Sequence, residues 1–202
     1  MITLYHCQDA RSLRPLWALE EMGLDYELVK MQFPPRSSHS GYLDINPLGT
    51  VPTLVDGDLT MTESSAMCQY LGEKYGPTGL ALDVTDPQYG EYLNWLYRSD
   101  ATLTFPQTLV LRYTQHEPPE RRQPQVVADY TQWFYSRLRA VEAALEGCEY
   151  LLGERFTMAD IAVGYAVFLG SSLGIDGKYK PNTRAYLERL LARPALQRAR
   201  AK

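Results

Sequence analysis

The chain has 202 residues, 45% hydrophobic and 22% charged, with a formal net charge of −4. That length buries one large core or two small ones; the acidic balance argues against a general nucleic-acid binder, and no stretch approaches the ~18 uninterrupted apolar residues of a membrane span. Cys7, Cys68 and Cys148 lie far apart with neither a CxxC nor a zinc spacing, so no metal is expected and a reducing, cytoplasmic setting fits.

The N-terminal "ITLYHC" is an apolar run without a basic leader, which predicts a buried strand and no signal peptide. In "SLRPLWALEEMG" the residues Leu13, Leu16, Trp17 and Leu19 recur at helical spacing. Ser12 is the candidate N-cap, Gly23 the stop, and Pro15 falls in the first turn, where a missing N–H costs little. "YELVKMQF" reads as a second strand and "PPRSSHSGYLDINP" as a long polar loop. In "VPTLVDGDLTM" two short apolar runs flank Asp56-Gly57, a hairpin signal, and "SSAMCQYLGEKYG" is a helix closed by Gly76. A β-α-β unit followed by a hairpin and a helix makes residues 1–78 a small mixed α/β domain.

After the turn-rich "PTGLALDVTDP" no good strand remains. "QYGEYLNWLYRSDATLTF" and "QTLVLRYTQ" read as helices kinked or divided at Pro106. "VVADYTQWFYSRLRAVEAALEG" carries one apolar stripe, and "MADIAVGYAVFLGSSLG", "NTRAYLERLLAR" and "ALQRARA" complete an all-helical domain over 86–202. Thr157 and Asp160 form a capping box with Asp replacing the commoner Glu, a structural role.

Charge is unevenly shared. Residues 1–78 hold ten acidic and five basic side chains, against fourteen and fifteen in 79–202. An anion bound by the first domain must therefore be held by local donors rather than by a broad positive field.

Two features of the first domain point to such donors. Pro52, at the mouth of a strand, can donate nothing to a β-ladder. It either opens an edge strand or, with Val51-Pro52 cis, aims the Val51 N–H and C=O outward as an extra strand's partner. Glu63, Ser64 and Ser65 fall at a helix start, whose N–H groups and dipole attract a carboxylate while Glu63 meets an ammonium group. The same residues also serve as ordinary caps.

Together, "NPLGTVPTLVDGDLTMTESSAMCQYLGEKYG", "ITLYHCQDARSLRPLWALEEMG" and "LLGERFTMADIAVGYAVF" resemble the glutathione S-transferase family over nearly the whole chain. The resemblance implies an α/β thioredoxin-like domain (1–78) followed by an all-α helical-bundle domain (86–202). It implies glutathione as co-substrate, a small hydrophobic electrophile and a homodimer. At Val51 and Pro52 it implies main-chain pairing with the cysteinyl part of glutathione, and at Glu63 and Ser64 contacts to the γ-glutamyl end. His39 matches a region that reaches the glycyl carboxylate, and Thr50 sits where relatives carry a polar or basic side chain. The electrophile would meet the first long helix of the second domain, at Tyr97, Asp100, Phe105 and Leu109.

Chemistry requires that the glutathione thiol be activated. A thiol of pKa about 8.5 is only about 3% thiolate at pH 7, and lowering it by two units takes roughly 2.7 kcal/mol. Relatives use a tyrosine late in the first strand, or a serine or cysteine just before the first helix. Here Ala10 occupies the usual serine position and Arg11 the cysteine position. Ser12 is the first candidate for the thiolate donor, against a plain capping role; Tyr5 and Arg11 follow. Cys7 admits a glutathione-dependent peroxidase or thiol reductase, and Ala10 admits a non-catalytic interaction module.

Overall fold

The structure, a computed structural model, describes residues 1–202, Ser38 by its backbone alone. By its contacts the chain divides into a unit of residues 1–81 with 191–202 and a unit of residues 82–190.

In the first unit, strands β1 (Ile2–Cys7), β2 (Tyr26–Met31), β3 (Thr53–Asp56) and β4 (Leu59–Met61) form one sheet in the order β2-β1-β3-β4. β1 and β2 are parallel, while β1–β3 and β3–β4 are antiparallel. Leu4 lies opposite Leu54, both fully buried, and Tyr5 lies opposite Thr53 on the other face, as the two-residue side-chain period of a strand requires. The hairpin turn is Gly57-Asp58 rather than the expected Asp56-Gly57. Asp56 already pairs with Leu59, and Gly57 takes the positive φ of 62° that a tight turn demands.

Helix α1 (Leu13–Met22) buries Leu13, Leu16, Trp17 and Leu19 and stops at Gly23 in the left-handed region. It packs on α4 (Ser64–Lys74). The stretch read as a polar loop contains two single-turn helices, α2 (Pro35–Ser38) and α3 (Tyr42–Ile45), with Tyr42 fully buried.

In the second unit, α5 (Tyr89–Arg98) runs into a π-helical stretch, Ser99–Thr104, then α6 (Phe105–Leu111) and a second π turn, Arg112–His116. Pro106 neither divides nor ends this helix. It sits in the first turn of α6, where its missing N–H is tolerated, directly after the widened turn. α7 (Pro124–Ala144) packs on α6, and α8 (Met158–Ser172) is buried on every side from Met158 to Gly170. The capping box is present: the Thr157 hydroxyl accepts from Ala159 N–H and Asp160 accepts from Thr157 N–H at 2.9 Å. Asp160 also takes hydrogen bonds from Leu151 N–H and Tyr186 Oη, so it braces three segments.

The chain ends in α9 (Pro181–Leu191) and α10 (Pro194–Arg200). α10 packs on α1, not within the helical unit to which the sequence assigned it. Arg193 grips Glu21 at 2.6 and 2.9 Å, and Arg198 and Lys202 both reach Glu20.

Candidate functional site

The approach to β3 is held by a close backbone contact and by buried hydrogen bonds. Gly49 has φ of 61°, and a Cβ there would lie 2.9 Å from Arg36 Cβ, so no side chain fits. Thr50 exposes its side chain but turns its carbonyl inward, where it accepts from Tyr42 Oη at 2.6 Å and Asn46 Nδ2 at 2.9 Å. Asn46 Nδ2 also donates to Thr53 Oγ1 at 3.0 Å, and Tyr42 Oη lies 2.7 Å from that same oxygen. Tyr42, Asn46 and Thr53 are all buried, and burial pushes the Tyr42 phenol above its ordinary value of 10, so it stays neutral. Val51 follows, half-buried, joined to a buried Pro52 by a cis peptide bond.

The head of α4 is the second feature. Glu63 takes the N-cap position in extended conformation, yet its side chain makes no capping bond and is exposed. Capping, the bland alternative for this carboxylate, is therefore not its role. Ser64 is 2% exposed, and its hydroxyl accepts from Arg14 Nη1 at 2.9 Å. Arg14 is itself fully buried, so its charge adds to the positive potential of the helix end.

The turn from β1 into α1 places the first candidate for the thiolate donor inside the fold. Ser12 is fully buried and its hydroxyl is engaged on β1: it accepts from Cys7 N–H at 3.2 Å, reaches Cys7 O at 3.2 Å and lies 2.8 Å from His6 Nδ1. It does not cap α1 either. Burial holds His6 down at about 4, so the imidazole is neutral, and pushes the Cys7 thiol up to about 11. Ala10 and Arg11 are half-buried at the surface of this turn. Tyr5 is half-buried in an aromatic trio with Tyr42 (centroids 5.4 Å) and His39 (6.2 Å), which brings two sequence-named residues onto the Thr53 face of the sheet.

The four electrophile candidates lie along the helix of residues 89–116. Tyr97 and Phe105 are 54% and 47% exposed, whereas Asp100 and Leu109 are half-buried. Phe105 meets Tyr130 and Trp133 edge-on at 6.3 and 6.4 Å. A concavity of about 460 Å³ on this helix is lined instead by Trp95, Arg98, Thr102, Trp133 and Arg137, and holds none of the four.

Sequence reasoning missed Arg14, Tyr42, Asn46 and Thr53. Arg14 left one trace, a charge at buried spacing beside Leu13 and Trp17; the others left none, because their roles depend on contacts between segments. Among the described residues no group of three or more His, Cys, Asp or Glu is placed to hold a metal ion, and no helix is long and apolar enough to cross a membrane.

Comparison with known proteins gives the same family at both ends of the chain. Residues 10–74 match the profile described as "Glutathione S-transferase, N-terminal domain", and residues 106–194 match "Glutathione S-transferase, C-terminal domain". A probable glutathione S-transferase, GSTF2, from Oryza sativa subsp. japonica is 32% identical over 89% of this chain and 86% of its own length. Among solved structures, a ternary complex of BphK, a bacterial GST, is 29% identical with a TM-score of 0.88 over 98% of both chains. A sphingomonad glutathione S-transferase complexed with glutathione is 27% identical with a TM-score of 0.86, over 98% of this chain and 97% of that one.

Proposed function

Since the chain belongs to the glutathione S-transferase family and is an enzyme of that kind, we propose that it joins the thiolate of glutathione to a small hydrophobic electrophile. Sulfur forms the new bond to carbon, and the leaving group departs with the electron pair. The observation that carries this reading is the head of α4: an uncapped, exposed Glu63 beside a buried Ser64 braced by Arg14. A γ-glutamyl group brings a carboxylate and an ammonium on one carbon. The helix start and the Ser64 hydroxyl suit the first, and the Glu63 carboxylate suits the second.

Val51 supplies main-chain groups for the cysteinyl part, with Pro52 behind it, and His39 a donor for the glycyl carboxylate; the exposed Thr50 side chain lies beside them. Thiolate charge falls to Arg11 and the start of α1, since Ser12 is engaged within the fold. Tyr97, Phe105 and Leu109 offer apolar surface to the electrophile, with Asp100 as a polar neighbour. A reductase or peroxidase working through Cys7 fits poorly, because that thiol is 2% exposed and held protonated. A cytoplasmic homodimer is the form in which we expect the enzyme to act.

Calorimetry with glutathione tests the reading. Glu63→Ala should weaken binding at least tenfold, ~1.4 kcal/mol. An unchanged affinity, or no binding by the unaltered protein, overturns it.

A further inference from the structure

The hydrogen bonds around the Thr50 carbonyl close on themselves. Asn46 Nδ2 carries two hydrogens, one for Thr50 O and one for Thr53 Oγ1. The Tyr42 hydrogen goes to Thr50 O, and the Thr53 hydroxyl then has Tyr42 Oη as its acceptor. Every hydrogen has an acceptor, and Thr50 O uses both of its lone-pair directions. Leu48 N–H, 3.0 Å from Asn46 Oδ1, fixes which way the Asn46 amide faces.

Such a closed set determines more than one carbonyl. The Thr50–Val51 peptide is trans, so its C=O and N–H point in opposite directions within one plane. With Thr50 O turned into the buried cluster, Val51 N–H is turned away from it. We propose that Tyr42, Asn46 and Thr53 are positioning residues that set the direction of the Val51 N–H, and so preorganise the main-chain group that receives the cysteinyl part of glutathione. The inference rests on the reading above that Val51 pairs with that ligand. None of the three residues touches it; they act through one peptide plane.

Thr53→Val removes only the hydroxyl, Thr53→Ser keeps it, and Tyr42→Phe breaks the ring of bonds from the other side. For each, the Kd for glutathione is measured by calorimetry well below the unfolding transition, alongside Tm and steady-state rates with glutathione varied. Thr53→Val and Tyr42→Phe should each raise Kd and the KM for glutathione by about fivefold or more, as expected when the receiving group is no longer held in place. Turnover at saturating glutathione should stay within about twofold, and Thr53→Ser should restore Kd and KM. A lowered Tm with unchanged Kd in both disrupting variants would show a purely structural cluster and overturn the proposal. Failure of the unaltered protein to bind glutathione would instead overturn the underlying reading, a separate and recognisable result.

Discussion

A hydroxyl stabilises a thiolate only by donating to it from the surface of a site. Ser12 is fully buried against Cys7 and His6, and its neighbour Arg11 is the cation of that turn and stays partly exposed. Arg11→Ala should therefore displace the pH profile of kcat/KM for the electrophile, measured at saturating glutathione, towards higher pH; raising a bound thiol of pKa about 6.5 by one unit should lower the rate at pH 7 about threefold. Ser12→Ala should act chiefly on stability: Cys7 N–H loses a buried partner, at about 1–3 kcal/mol, read from denaturant unfolding. If Tyr5→Phe moves the profile and Arg11→Ala does not, the thiolate donor is the Tyr5 phenol in its aromatic trio with His39 and Tyr42.

Among the elements, α10 shows how a short helix is held by charge. Its residues and those flanking it reach Glu20 and Glu21 on α1 through Arg193, Arg198 and Lys202. Burial would raise Glu20, but bonds from Tyr26, Lys202 and Arg198 outweigh it and hold the carboxyl down at about 2 against an ordinary 4.5. A carboxyl lowered by folding contributes stability above its unfolded pKa and loses it as pH falls to the folded one. The attachment of α10 should therefore weaken between about pH 4.5 and 2. Hydrogen exchange should show residues 194–200 opening in that window, and Glu20→Gln should show the same opening at neutral pH. Exchange that is flat with pH would place the helix's attachment in Ala195, Leu196 and Ala199 alone.

At the level of the whole molecule, the expected homodimer is tested by mass. Sedimentation equilibrium should give about twice the 23.0 kDa of the chain, and a concentration-independent 23.0 kDa would exclude the dimer. Large apolar side chains left exposed on the second unit include Val84, Tyr97, Phe105 and Trp133, and Phe105 meets Trp133 edge-on.

The sequence by itself determined what local patterns encode. It announced the apolar face of α1, the capping box at Thr157 and Asp160, and the helix that follows that box, because each is written in residues within one or two turns of each other. It also singled out Val51, Pro52, Glu63 and Ser64 as candidates, whose proline and helix-start chemistry is local too. Tertiary structure alone decided the remainder. α10 could be placed only by its contacts with α1, far away in the chain, through Glu20, Glu21 and its own buried Ala195, Leu196 and Ala199; the Pro106 helix passes through a widened turn packed against α8. Ser12 reads as a cap until the end of β1 is folded back onto it, and Tyr42 reads as loop until Thr50 and Thr53 arrive beside it. Hydrogen bonds between distant segments have no periodicity for a sequence to display. Only burial, which removes water as a competing partner, selects them.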